Sequence, residues 1–320
     1  MCYEIILTDR CNRKCKFCYI NQSGYTETTE NINRFIDEVR RRQKDVVDSF
    51  DIHIFGGEPF LNYDGVKLVY DAFIDDPRAK VHIFSNGDLI TEDKAVRLGR
   101  AMLHMTAYSI FNPESHNRYS RIYNMFNWCS CSYTLTGNDI MRFDELEDIF
   151  KGLGFKYRLH LSHDPYSWSS FNVERLYDII YGIAMKKLDE YSQRFTNQEP
   201  RVDGFVEPYV ARYVQSMIDG NMKQNFCVND DKKTFYKGRF VGPCIRIGDI
   251  EMKYDGTRCK GCDYELICTK GCFAELKPDV DIRLCTLEKA RFDAVKDFFD
   301  RNLPNIERIL DFYIKFAKIN

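Results

Sequence analysis

A chain of 320 residues, 44% of them hydrophobic, is long enough to bury a large core, either as one large domain or as a domain with a smaller appendage. Its 46 basic and 48 acidic residues leave a net charge of -2, so no polyanion-binding surface is expected and nucleic acid is excluded as a primary partner. There is no run of about eighteen apolar residues, and Asp9-Arg10 interrupts the N-terminus too early for a signal peptide. The expectation is a cytoplasmic protein without a membrane partner.

Met1 to Thr8, rich in Ile, Leu and Tyr, reads as a strand buried on both faces, as in a parallel sheet. A polar loop follows, Cys11-Asn12-Arg13-Lys14-Cys15-Lys16-Phe17-Cys18, spaced C-x3-C-x2-C. Three soft thiols suit an iron-sulfur cluster or zinc, yet a closed site of either kind needs about four protein ligands. No fourth lies nearby, so one metal position is left open, unless the loop is a zinc knuckle completed from afar.

With Thr29 as N-cap, Ile32, Phe35, Ile36 and Val39 form one stripe of a helix. A strand over Asp51 to Phe55 ends at Gly56-Gly57-Glu58-Pro59, and Asp64 to Phe73 is helical. A strand over Lys80 to Phe84 ends at Ser85-Asn86-Gly87, and a helix runs from Lys94 to Met102. His104 to Ile110, Cys131 to Leu135 and Lys156 to Leu161 continue as strands, with helices over Phe143 to Phe150 and Val173 to Leu188. Six such units predict an α/β fold, a partial (β/α)6 TIM-like barrel over residues 1–222, with ligands at the C-terminal ends of its strands. From residue 223 the chain turns to Cys, Gly and turn residues, the composition of a small metal-stabilised module. Helices over Leu287 to Asp300 and Ile306 to Phe316 close it.

Thirteen cysteines would suit a disulfide scaffold in a small secreted protein, but here they cluster at close spacings, where metal ligation is the better reading. The second group holds Cys259, Cys262, Cys268 and Cys272, spaced C-x2-C-x5-C-x3-C, with Cys227 and Cys244 before it and Cys285 after. A zinc ribbon is the alternative, but seven cysteines do not divide into closed four-ligand sites. Cys129 and Cys131, two apart on one strand, read as buried small residues. Gly56-Gly57 permits close backbone approach to a ligand, with Glu58 facing a cation, or it is a tight turn. Ser85-Asn86-Gly87 is a ligand contact or an Asn-Gly turn.

The cysteine loop, with aromatic Phe17 just before its third Cys, resembles the radical S-adenosylmethionine superfamily, and Gly56-Gly57-Glu58-Pro59 resembles its GGEP motif. The resemblance implies a 4Fe-4S cluster on Cys11, Cys15 and Cys18 whose open iron is chelated by S-adenosylmethionine. It implies that Gly56, Gly57 and Glu58 hold the methionine ammonium and that Ser85 and Asn86 reach the ribose or methionine end. Ser109, with His116 and Arg121, resembles a segment that reaches the carboxylate, although Phe111-Asn112 stands where many relatives have Asp-Gly and Arg121 reads equally as a surface ion pair.

The second cysteine group resembles the SPASM extension of that superfamily, which implies two auxiliary 4Fe-4S clusters and three in all. One would take Cys259, Cys262, Cys268 and Cys285, the other Cys227, Cys244 and Cys272 with a fourth position open to substrate or to Asp or Glu. The implied function is a maturase that crosslinks a ribosomally made precursor peptide by C-C or thioether bonding. Its reductant would be a flavodoxin or ferredoxin. With ten residues before Cys11, leader binding is assigned to the barrel, the module or a separate leader-binding protein. The alternative enzyme reading is oxidation of a protein Ser or Cys, as in anaerobic sulfatase maturation. The non-enzyme alternative is a zinc-stabilised binding module or an iron-sulfur electron carrier. Asp9, Glu58, His160, His163 and Asp164 are the unranked candidates for a general base.

Overall fold

The computed structural model describes residues 1–18, 20–162, 165–193, 232–241, 261–264 and 282–302. These fall into two compact units: 1–18, 20–133, 145–157 and 232–241 in the first, and 134–144, 158–162, 165–193, 261–264 and 282–302 in the second.

The first unit is built on a parallel sheet. Its strands are β1 (Cys2–Ile6), β2 (Phe50–Phe55), β3 (Ala79–Ser85), β4 (Met102–Thr106) and β5 (Trp128–Leu135), which runs on into the second unit. Then come β6 (Tyr157–Leu161), which has its first residue in this unit and the rest in the second, and β7 (Lys232–Tyr236) and β8 (Arg239–Val241). The strand order is β6-β5-β4-β3-β2-β1-β7-β8, an open sheet in which β1 to β5 and β7 are paired in parallel and β8 turns back antiparallel on β7. The expected α/β fold with a parallel, unclosed sheet is thus present. β1 is buried almost throughout, as its apolar run requires, whereas β2 to β5 alternate between buried and half-exposed positions.

The helices are α1 (Thr29–Gln43), α2 (Tyr63–Phe73), α3 (Glu92–Leu98), α4 (His116–Met125), α5 (Phe143–Leu153), α6 (Val173–Gln193) and α7 (Ile282–Arg301). α1 buries Ile32, Phe35, Ile36 and Val39, each contributing about 1.5–3 kcal/mol. Phe35 packs against Phe73 of α2 and Phe235 of β7. In the second unit α6 packs along α7, with Tyr177 donating to Asp297 at 2.6 Å and Tyr181 edge-on to Phe298. Among the described residues no helix is long and apolar enough to cross a membrane.

Several boundaries move. The cap of α1 is Thr28, whose hydroxyl accepts from the Asn31 N–H at 3.2 Å, and Thr29 is already helical. The helix expected to reach Met102 stops at Leu98, and Met102 opens β4. β4 in turn ends at Thr106, because Tyr108 and Ile110 bond back to Thr106 and Ala107 as turns. α4 carried too weak an apolar stripe to be read, with Tyr119 and Ile122 as its buried residues. β7 and β8 were likewise hidden in a stretch read as turns, and the boundary near residue 222 lies outside the described residues.

Candidate active site

The cysteine loop leaves β1 at the C-terminal edge of the sheet, and backbone bonds to the next strand fix its first residues. Gly57 N–H donates to Thr8 O and Glu58 N–H to Arg10 O, both at 2.8 Å. A Cβ on Gly56 would strike Thr8 O and one on Gly57 would strike Arg10 O, so the two glycines are required by the approach of two loops. Asp9 is fully buried in the same corner and accepts from Ser23 Oγ (2.5 Å), Gly24 N (2.9 Å), Tyr25 N (2.8 Å) and Tyr236 Oη (2.9 Å). Burial alone would raise its pKa, but these donors, led by Ser23, hold it below the usual carboxylate range. Its oxygens are engaged in shaping the loop.

The loop itself is short and polar. Cys18 N–H bonds to Cys15 O at 3.0 Å, closing a turn between those two thiols, and the Cys11 thiol accepts from Arg13 N–H at 3.4 Å. Cys11 and Cys15 are half-buried and Cys18 is exposed. Burial raises the Cys11 pKa, and burial followed by the neighbouring Cys18 pushes Cys15 up to about 11. A metal ligated here must displace protons from these thiols. Among the described residues no three His, Cys, Asp or Glu side chains converge to hold one metal ion. A cluster is held differently, with each thiolate on an iron of its own.

Behind the loop lies a second layer that the sequence did not reveal. Arg13 Nε and Nη2 bind Asp88 at 2.5 and 2.6 Å, Arg118 binds the same carboxylate at 2.8 Å, and Asn12 adds a bond of 3.2 Å. Burial opposes both charges, yet the Arg13 contact holds Asp88 below its usual range. The Arg13 guanidinium also lies over the Tyr108 ring, 5.0 Å from its centre. A cleft of about 570 Å³ opens beside Cys15, lined among others by Arg13, Asp88, Tyr108, Ser109, Asn112 and Arg118. Arg13 Nη1 and Arg118 Nε are buried and have no hydrogen-bond partner among the described residues. Soft thiols beside a cleft lined by two guanidinium groups suit a metal group and an anionic ligand together.

The expected residues divide. Ser109 lines the cleft, three residues beyond β4. Asn86 Nδ2 reaches Asn12 at 2.9 Å and the Cys11 sulfur at 3.8 Å. Glu58 is fully buried and accepts from Phe60 N (3.1 Å), Ser85 Oγ (2.8 Å) and Asn86 N (2.8 Å), so it ties β2 to β3, and burial raises its pKa. Arg121 is exposed and paired with Glu92 at 2.6 Å away from this cleft, whereas Arg118, one helical turn earlier, lines it. His116 Nε2–H donates to Ile110 O at 2.7 Å.

Cys129 and Cys131 are buried on the sheet, and burial pushes the Cys129 thiol up to about 12. His160 is exposed, and His163 and Asp164 lie outside the described residues. Of the second cysteine group, Cys262 and Cys285 are described and partly exposed; Cys227, Cys244, Cys259, Cys268 and Cys272 lie outside. Tyr264, two residues after Cys262, donates to Asp293 and stacks on Phe292 of α7, the helix that carries Cys285.

The chain is similar over 105 residues, at 28% identity, to the radical SAM cyclopropyl synthase TigE of Paramaledivibacter caminithermalis, covering 28% of this chain and 22% of that one. The chain thus spans about a fifth of the length of that curated relative. Among solved structures it resembles anSMEcpe with bound AdoMet and peptide, at a TM-score of 0.66 and 16% identity over 97% of this chain and 98% of that one. It also resembles SuiB of Streptococcus suis bound to its precursor peptide SuiA, at a TM-score of 0.58 and 16% identity over 88% and 75%. Residues 5–126 match the family model described as the radical SAM superfamily. From β1 through the cysteine loop and the cleft to the end of α4, the chain therefore carries a radical SAM superfamily domain.

Proposed function

We propose that this chain is a radical SAM maturase that modifies a peptide, installing a C-C or thioether crosslink. The observation that carries the reading is the cysteine loop at the end of β1, set against a cleft lined by Arg13 and Arg118, inside the matched domain. The donor set fits the group: three thiols leave one corner of a 4Fe-4S cube open, and the cleft offers cationic donors to an amino-acid carboxylate. With a cluster and S-adenosylmethionine bound, the site would supply a 5'-deoxyadenosyl radical for hydrogen abstraction.

This chain's own residues then have distinct duties. Cys11, Cys15 and Cys18 hold the cluster. Arg13 and Asp88 fix the loop, Arg118 receives the carboxylate, and Ser109 and Asn86 contact the ligand. Gly56, Gly57 and Glu58 set the height of the loop above the strand ends. We infer residues 1–222 as the barrel and 223–320 as a SPASM module with closing helices. Its clusters are assigned to Cys259, Cys262, Cys268 and Cys285 and to Cys227, Cys244 and Cys272. A reductant of flavodoxin or ferredoxin type and a cytoplasmic setting complete the proposal.

A peptide substrate is supported by the peptides bound in the solved neighbours, and carbon-carbon bonding by the likeness to the cyclopropyl synthase TigE. Anaerobic reconstitution tests the enzyme reading. About twelve irons per chain and release of 5'-deoxyadenosine are expected, whereas tightly bound zinc without cleavage of S-adenosylmethionine would end it. Incubation with short peptides encoded beside the gene should remove the mass of two hydrogens per crosslink. An aldehyde formed on a sulfatase peptide would establish oxidation of Ser or Cys instead.

A further inference from the structure

The face of the sheet that α1 and α2 cover is apolar, with Phe50 against Phe73 and Phe235 against Phe35. Strand alternation places Asp51, His53, His82, Phe84, His104 and Ser130 on the other face, at half-exposed positions. Three imidazoles here are not what packing asks of a parallel sheet, whose strands favour branched apolar residues.

Their hydrogen bonds form one line across four strands. His82 Nε2 is 3.1 Å from Asp51 Oδ1, His82 Nδ1 is 2.9 Å from His104 Nε2, and His104 Nδ1 is 3.3 Å from Ser130 Oγ. Register supports it: His104 lies opposite Ser130, and His53 opposite His82. The proton positions follow from the partners. An ionised Asp51 only accepts, so His82 carries its proton on Nε2 and accepts at Nδ1. His104 must then donate from Nε2, which leaves its Nδ1 to accept from the Ser130 hydroxyl. Every link points the same way, from the middle of β5 to the N-terminal end of β2, where the Asp51 side chain is 40% exposed.

The other titratable groups on this face within the first unit leave the line intact. Glu4 of β1 is taken by Lys232 of β7 at 2.6 Å and by Thr234 at 3.1 Å. Burial pushes His53 down to about 4, so it is neutral beside the line, and Cys2 is pushed up to about 12 by burial and stays a thiol. Lys80 lies in register with Asp51 and is exposed. Toward the C-terminal edge, Thr106 and Ser132 continue the polar face with hydroxyls 3.3 Å apart.

We propose that Ser130, His104, His82 and Asp51 form a proton relay, which takes a proton from a substrate lying on this face and delivers it to the N-terminal edge of the sheet. The proposal rests on the peptide-modifying reading above, since a peptide N–H, O–H or S–H beside the carbon that loses a hydrogen atom becomes the proton source. The substrate proton bonds to Ser130 Oγ as that hydroxyl gives its own to His104 Nδ1. The His104 Nε2 proton moves to His82 Nδ1, and the His82 Nε2 proton moves to the Asp51 carboxylate. Asp51 then loses it to solvent. The substrate ends one proton poorer, no electrons move, and both imidazoles remain neutral in reversed tautomers that must reset.

Two measurements test this on the full-length, cluster-loaded protein. In histidine-labelled protein, long-range nitrogen-proton NMR should show His82 and His104 both protonated on Nε2, and D51N should loosen the His82 tautomer preference. A His82 protonated on Nδ1 in the wild type overturns the relay. With a peptide encoded beside the gene, modified peptide formed per 5'-deoxyadenosine should fall about tenfold or more in S130A, H104Q and H82Q. It should recover as pH rises and hydroxide replaces the relay, and K80A should behave as the wild type. An unchanged ratio in all three folded variants overturns the proposal. Absence of 5'-deoxyadenosine in the wild type would remove the enzyme reading instead, and the NMR result would then decide the relay alone.

Discussion

Arg13 and Asp88, 75 residues apart in sequence, meet through two parallel hydrogen bonds of 2.5 and 2.6 Å, with side chains only 12% and 18% exposed. That contact joins the cysteine loop to the turn after β3 and shares its carboxylate with Arg118. D88N removes the charge and one of the two acceptor oxygens shared by two guanidinium groups and leaves Arg13 buried without its counter-charge. A loss of about 3 kcal/mol is expected, read as a lower urea midpoint, together with less iron retained after reconstitution.

Arg118 and Arg121 separate cleanly. R118A should weaken S-adenosylmethionine binding by about tenfold, whereas R121A, which breaks an exposed pair with Glu92, should leave affinity within about twofold. Equilibrium dialysis of the reconstituted variants decides it. The reverse order would return the carboxylate to Arg121.

Removing the thiols tests the loop directly. C11A/C15A/C18A should bind about four fewer irons per chain than the wild type and form no 5'-deoxyadenosine. Its thermal midpoint before reconstitution should change little, because one of the three thiols is exposed and the others are half-buried.

Asp9 predicts an acid limb. Its folded pKa lies below the unfolded value of about 3.9, so the unfolded chain binds protons more readily. The stability it contributes is complete above the unfolded pKa and is lost as pH falls through the depressed folded one. Urea midpoints from neutral pH downward should therefore drop less steeply below about pH 4 in D9N than in the wild type. Parallel limbs would assign the acid sensitivity to other carboxylates.

The cap of α1 gives a local test. T28A should cost about 1 kcal/mol and T29A much less, since the Thr28 hydroxyl holds the Asn31 N–H. Equal effects in urea titration would show that the end of the helix frays past both.

The sequence by itself determined what depends on near neighbours. The C-x3-C-x2-C loop, the glycine pair and the six strands announce themselves because spacing and apolar period act within a few residues. α4 escaped notice for the same reason, since two buried residues in ten make too faint a stripe. Tertiary structure decided the partners. Glu58 reads as a carboxylate for a cation, but the arrival of Ser85 and Asn86 from the next strand makes it a buried brace. Arg118 rather than Arg121 lines the cleft beside Cys15, because the turn of α4 sets which face meets Asp88. His82 and His104 lie far apart in the sequence, and only parallel register brings them into one hydrogen-bonded line with Asp51 and Ser130. Register is fixed by packing along whole strands, so no local pattern carries it.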